Sequence, residues 1–177
     1  MIGMRRSIAL PIAAVLACAA ALAQAQAPVS ALKGHDSSAP VDVSANRIEV
    51  QQRADRALFV GDVQVRQGEL TLETDRLTVA YKSAGGIQIN RLDASGGVVV
   101  RSPSETARGR FGVYDLDRKL ITLVGDVVLT RGGSQIVGSR LVIDLDSGRA
   151  VIDGGPAGVN QSGGRVTGHF TVPKRGG

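Results

Sequence analysis

Two short motifs recur through this chain about every 30 residues, and that repetition limits its fold more than any other feature. The first is a glycine pair or Gly-Asp followed by valine: Gly61-Asp62-Val63, Gly96-Gly97-Val98 and Gly125-Asp126-Val127, with a weaker echo at Gly154-Gly155. Their first glycines are 35, 29 and 29 residues apart. The second is an arginine ahead of alternating apolar residues: Arg47-Ile48-Glu49-Val50, Arg76-Leu77-Thr78-Val79, Arg110-Phe111-Gly112-Val113 and Arg140-Leu141-Val142-Ile143, spaced by 29, 34 and 30. The motifs interleave, so each unit holds one of each. A period of this size indicates stacked supersecondary units, none of which can bury its apolar face alone.

Inside each unit the hydrophobic period is two. Val63 and Val65 alternate with Gln64 and Arg66, Leu70 and Leu72 with Thr71 and Glu73, and Leu141, Ile143 and Leu145 with Val142, Asp144 and Asp146. That is the pattern of strands with one dry face and one wet face. Gln67-Gly68, Gly85-Gly86, Gly96-Gly97, Gly132-Gly133, Ser147-Gly148 and Gly163-Gly164 read as tight turns between them. The fold class is all-β, with an expected 14 to 16 antiparallel strands of about five or six residues. Only 3% of residues are aromatic, so the inward set is aliphatic and branched, with Phe59, Phe111 and Val113 placed in it by the same alternation. Two facing sheets so lined make either a filled sandwich or an apolar groove.

Four segments follow. Residues 1–25 read as a secretory signal: Arg5 and Arg6, an apolar run from Ile8 to Ala23, and the small-x-small site Ala23-Gln24-Ala25. Val15-Leu16-Ala17-Cys18 also resembles a lipoprotein signal, which would lipidate Cys18 instead. Residues 26–40, with Pro28, Gly34 and Pro40, read as a flexible lead-in, residues 41–172 as the β domain, and 173–177 as a frayed tail. Loss of the signal lowers the formal net charge from +5 to +3, a mild basicity that suits an anionic lipid partner. Cleavage after Ala25 leaves no cysteine, so the core must hold the fold in an oxidising compartment without disulfides. The stack ends in open strand edges, which invite another copy or a similar fold to add a strand.

No catalytic, metal or cofactor site emerges. His35 and His169 are isolated from other ligand types. Asp115/Asp117 and Asp144/Asp146 lack the further oxygens of a calcium loop and sit where strands meet turns. The glycine-rich stretches open no helix, so a phosphate loop is excluded. Arg101, Arg108 and Arg110 cluster without the aromatic residues that nucleic-acid binding would want. The repeated Arg47, Arg76, Arg110 and Arg140 read as a charge ladder blunting an exposed sheet, with a phosphate-steering stripe as the alternative.

The chain resembles the OstA-like, or LptA, family of periplasmic lipopolysaccharide-transport bridge proteins. The resemblance spans residues 40–172. It rests on Pro40-Val41-Asp42-Val43 ahead of the Arg47 strand, on Phe59-Val60-Gly61-Asp62-Val63-Gln64-Val65-Arg66-Gln67-Gly68, on Leu123-Val124-Gly125-Asp126-Val127, and on Gly164-Arg165-Val166-Thr167. It implies a repeat-built antiparallel β-jellyroll with an apolar groove and open ends, a periplasmic location, and a bridge between inner-membrane and outer-membrane transport components with similar domains. Head-to-tail assembly with itself is a further implied partner mode; nucleic acid and cofactors are not implied. Lipopolysaccharide acyl chains would lie in the groove, shielded from water at roughly 0.8 kcal/mol per buried CH₂. On this resemblance the lipid-facing residues are Val41, Val43, Ile48, Val98, Val100, Phe111, Val113 and Leu141. The chain departs from the family in its few groove aromatics, in the longer Gly61 to Gly96 unit, and in the lipobox-like Cys18.

Two other readings stay open. A structural β-repeat envelope protein would have a packed core and no ligand. A carbohydrate-active enzyme would need a carboxylate pair facing a groove, whereas the acids here fall mostly at turns or on the wet face.

Overall fold

A computed structural model describes residues 32, 35–83, 85–155 and 164–171 of the 177-residue chain. The expected signal segment and tail, with Cys18, lie outside the described residues. Ten strands form one antiparallel sheet: β1 (Asp42–Ser44), β2 (Arg47–Gln51), β3 (Arg56–Gln67), β4 (Leu70–Lys82), β5 (Gln88–Arg101), β6 (Glu105–Asp115), β7 (Leu120–Arg131), β8 (Ser134–Asp144), β9 (Arg149–Asp153) and β10 (Thr167–His169). From β3 to β8 each strand pairs with the next in sequence. At one end both β1 and β2 pair with β3, and at the other both β9 and β10 pair with β8.

That double pairing at each end follows from a bend. The ladder shifts register in mid-strand at Val60/Val63, Glu73/Arg76, Ser95/Val98, Arg108/Phe111 and Val124/Val127. Bulges of this kind bend a strand and strengthen its twist. The shifts line up across the sheet as a corner, which divides β3–β8 into two half-strands each. One layer holds β1, residues 63–67, 70–74, 98–101, 105–108, 127–131 and 134–138, and β10. The other holds β2, residues 56–60, 76–82, 88–95, 111–115, 120–124 and 140–144, and β9. The layers face each other, giving an open β-jellyroll.

The repeated Gly-Asp and Gly-Gly motifs sit on this corner and are not turns between strands. Gly61, Gly96 and Gly125 have φ of 82°, 90° and 83°, and Asp62, Gly97 and Asp126 are also left-handed. The expectation of 14 to 16 short strands is corrected accordingly: six of the ten strands run 11–14 residues because they continue through the corner. Side chains from adjoining segments pack over the corner glycines: Asn46, between β1 and β2, on Gly61, Asp75 on Gly96 and Arg110 on Gly125, with Ser139 likewise over Gly155. Polar bonds tie the same places, Asn46 Nδ2 donating to Asp62 at 2.9 Å and Arg110 Nε to Asp126 at 2.7 Å.

The core lies between the layers. Val63, Val65, Leu70, Leu72, Val98, Val100, Val127 and Leu129 come from one layer, and Leu77, Val79, Leu92, Ile121, Leu123, Leu141 and Ile143 from the other. The part of the expected flexible lead-in that is described is docked. Leu32 is buried in this same cluster, and residues 35–40 carry hydrogen bonds among themselves and to β3.

Candidate functional site: the interior of the roll

The interior is apolar except for three buried polar residues among those described, Gln67, Thr74 and Glu105. Near the β1 end, Val41, Val65, Leu70, Leu72 and Val100 face Leu92, Tyr114 and Ile121 around a residual cavity of about 10 Å³. That space holds at most one water. Gln67 reaches into it from the end of β3 and is only 2% exposed.

All four hydrogen-bonding positions of the Gln67 amide are used. Nε2 donates to the carbonyls of Ser37 (2.9 Å) and Ala39 (3.0 Å). Oε1 accepts from the Tyr114 hydroxyl at 2.8 Å and lies 3.0 Å from His35 Nε2. Tyr114 comes from the opposite layer, so this bond spans the two sheets. Burial pushes the Tyr114 phenol up to about 12, because an ionised phenolate would lose its water.

Towards the β9 and β10 end the layers hold a larger hollow of about 350 Å³. Leu129, Ile136, Ala150, Val151, Ile152 and Val166 line it, and Arg149 stands among them. The same aliphatic composition therefore gives a filled interior at one end and an open one at the other.

The residues expected to face lipid separate by position. Val98, Val100 and Leu141 are buried between the layers, and Val41 and Val43 are half-buried against the same cluster. Ile48 lies on the edge strand β2, every residue of which is exposed, and it is 54% exposed itself. Phe111 and Val113 point the other way from the interior. Phe111 is 55% exposed, and the buried positions in its half-strand are Gly112 and Tyr114.

The physical reason is one residue of register. Across the sheet, Arg47, Val60, Arg76, Ser95, Phe111, Val124, Arg140 and Asp153 form one outward row. Phe111 thus occupies the place that arginine takes in the other units, and Arg110 sits one step earlier at the corner. A one-residue slip exchanges the two faces of a strand. Gly112 takes the inward position equivalent to Leu77 and Leu141. A Cβ there would come within 3.0 Å of both Leu123 and Val98, so the neighbouring side chains already fill that space.

Gln67 and Tyr114 were not singled out from the sequence. Gln67 continues the inward parity of Val63 and Val65, which was the available signal. His35, expected to lack metal-ligand neighbours, is half-buried with Gln67 as a hydrogen-bond partner. Arg47, Arg76 and Arg140 are exposed on the outer row, away from the interior, where a charge ladder would place them. The Asp-x-Asp pairs serve turns. Asp144 Oδ1 accepts from the Ser147 and Asp146 amides at 3.0 Å each, and the Ser147 bond leads in holding that carboxyl below its ordinary value. Asp117 and Asp146 pair with Lys82 and Lys119.

Residues 42–149 match the family model described as LptA/(LptD N-terminal domain) LPS transport protein. An uncharacterised protein of Rhizobium meliloti (strain 1021) is 35% identical over 161 residues, covering 84% of this chain and 86% of its own length. Among solved structures, the chain is similar to LptH of Pseudomonas aeruginosa, the LptA homologous periplasmic component of the lipopolysaccharide transport device. The match has a TM-score of 0.68 at 18% identity, covering 78% of this chain and 99% of LptH. At that identity it shows the shared fold.

Proposed function

Because the chain belongs to the LptA/LptD N-terminal domain family of lipopolysaccharide transport proteins, we propose that it binds lipopolysaccharide by its acyl chains between the two layers and hands it on through end-to-end contacts with similar jellyrolls. The observation that carries this reading is an aliphatic interior running between two ends whose outer strands, among the described residues, pair on one side only. At one end these are β1 and β2, and at the other β9 and β10. The hollow beside β9 supplies room for an apolar chain, and Arg149 at its lining offers a cation to an anionic headgroup. Secretion through residues 1–25 would place the domain in the periplasm, between the two membranes.

Lipopolysaccharide crosslinking from photoreactive residues tests the proposal. A probe at Val100, which is buried, should give a lipid adduct, and a probe at Phe111, on the outer face, should give none. Equal labelling of both positions, or labelling at Phe111 alone, would remove the interior as the binding site.

One observation favours a second reading, a structural repeat with a packed core. The interior near β1 has almost no free volume. That reading requires that Val100 give no adduct while the protein remains folded.

A further inference from the structure

The free volume is missing at one end because the chain fills that end with itself. Leu32 is 4% exposed within the apolar cluster, and Ser37 and Ala39 present two main-chain carbonyls to one buried amide. An apolar group accompanied by carbonyl oxygens is also the chemistry of an ester- or amide-linked acyl chain. Gln67 is an unusual residue to place there. It is a 2% exposed amide among Val41, Val65, Leu70, Leu72 and Val100, where burial without partners would be costly. A segment that merely covered the end could do so with apolar side chains alone.

We propose that Gln67 and Tyr114 form a subsite for the polar linkage of an acyl chain, occupied in the free protein by the segment at residues 35–40. This rests on the acyl-binding reading above and adds to it the part of the ligand that is recognised. On binding, a lipid carbonyl takes the place of one of the Ser37 and Ala39 carbonyls as acceptor for Gln67 Nε2, and a second linkage carbonyl or a water takes the place of the other. The Tyr114 hydroxyl keeps donating to Oε1 and so holds the amide in the orientation that points Nε2 at the linkage. Where the acyl chain carries a hydroxyl, it can donate to Oε1 in place of His35. No covalent step is involved. With each lost acceptor replaced in this way, the buried amide is satisfied in both states, which is what an exchange in an apolar interior requires.

The segment can move as a unit, because its internal bonds, His35 N to Leu32 O, Ser37 N to His35 O and Ala39 N to Asp36 O, are local and can move with it. The Asp36 carboxylate, held low chiefly by the Ser38 side-chain hydroxyl, lies on the exposed side of the turn and takes no part in the subsite.

The test uses the full-length gene with Cys18→Ser and Ser38→Cys, the protein recovered from the periplasm and carrying a nitroxide at the exposed position 38. Addition of lipid A, whose chains are ester- and amide-linked, should convert the label from immobile to mobile in proportion to lipid bound. In parallel, the affinities for an amide-linked twelve-carbon detergent and an ether-linked one, both below micelle formation, are compared as a ratio. The chain with Gln67 should prefer the amide by roughly tenfold, the worth of one buried hydrogen bond, and Gln67→Leu should reduce the ratio to near one. Because the ratio is taken within one protein, any loosening of the segment by the substitution cancels. Lipid A that saturates the protein while the label stays immobile overturns the inference and leaves interior binding standing. A ratio near one with Gln67 in place also overturns it. Absence of lipid A binding removes both. If Gln67→Leu does not fold, the label on the chain with Gln67 decides.

Discussion

Phe111 lies directly opposite Val124 across the β6–β7 pair, and both face away from the interior, 55% and 43% exposed. Leu141, one row further in and buried completely, occupies the inward position that the arginine repeat assigns to Phe111. Phe111→Ala should therefore lower stability by less than about 1 kcal/mol. Leu141→Ala should cost about 2–5 kcal/mol, because it leaves a cavity between packed layers. Urea unfolding of the two variants under one condition measures both. A larger loss at Phe111 than at Leu141 would mean the faces of β6 are assigned the wrong way round.

Leu141 lies inward as its alternation indicates, whereas Phe111 does not, and the difference lies in what sets register. Alternation within half-strands is a short-range signal, so Val98, Val100 and Leu141 were legible as inward. Register across the corner is not local. The corner adds residues to each strand, and its effect on parity depends on which residue carries the bend. The sequence did hold a clue: Gly61 and Gly96 are 35 residues apart, and so are Asp75 and Arg110, whereas Arg76 and Arg110 differ by 34. Consistent spacing aligns Arg110 with Asp75 and Phe111 with Arg76. The glycine motifs were legible as backbone special points, but a left-handed glycine reads the same in a hairpin turn and in a bulge. Gln67 was hidden for a different reason. A single inward polar residue becomes intelligible only when its partners are known, and those come from residues 35–39 and from the far layer.

Gly96 and its neighbour Gly97 should respond unequally to the same change. Both have positive φ, so alanine is strained at either, by about 1–2 kcal/mol. At Gly97 an added Cβ meets open space. At Gly96 it would lie 2.8 Å from the Asp75 Cβ, which cannot swing aside as a side-chain tip can. Gly96→Ala should be more destabilising than Gly97→Ala by about a further 1–2 kcal/mol. Thermal and urea midpoints of the pair check it, and equal losses would mean the corner has room that its geometry does not display.

The Tyr114 phenol makes stability fall at alkaline pH. Its folded value, about 12, lies above the ordinary value of 10, so the folded state holds the proton more tightly than the unfolded chain does. The contribution is complete below pH 10 and is lost as pH rises through 12, on the order of 2 kcal/mol in all. Tyr114→Phe should lose about 1 kcal/mol at pH 8, where the bond to Gln67 is missing, yet decline less steeply between pH 10 and 12. Urea titrations at pH 8 and pH 11 separate the two effects. A variant that declines as steeply as the parent would assign the alkaline loss to other groups.

The edge strand β2 offers the most direct handle on assembly. Among the described residues it pairs only with β3, all five of its residues are exposed, and Ile48 and Val50 present 54% and 60% of their surface to solvent. An exposed apolar edge is unusual unless a partner covers it, since proteins normally blunt such edges with charge. Arg47 and Glu49 do supply charge, but they form an ion pair with each other at 3.5 Å along one face and leave the apolar pair clear. If copies of the roll join end to end, Ile48 and Val50 lie in the joint, and Ile48→Asp with Val50→Asp should shift the protein towards the monomer. Neither side chain belongs to the buried cluster, so the fold should lose little stability, under about 1 kcal/mol. Sedimentation velocity over a range of protein concentrations reads the shift. Larger species that persist unchanged in the double variant would place the contact at another edge, with the β9 and β10 end against itself as the arrangement to test next.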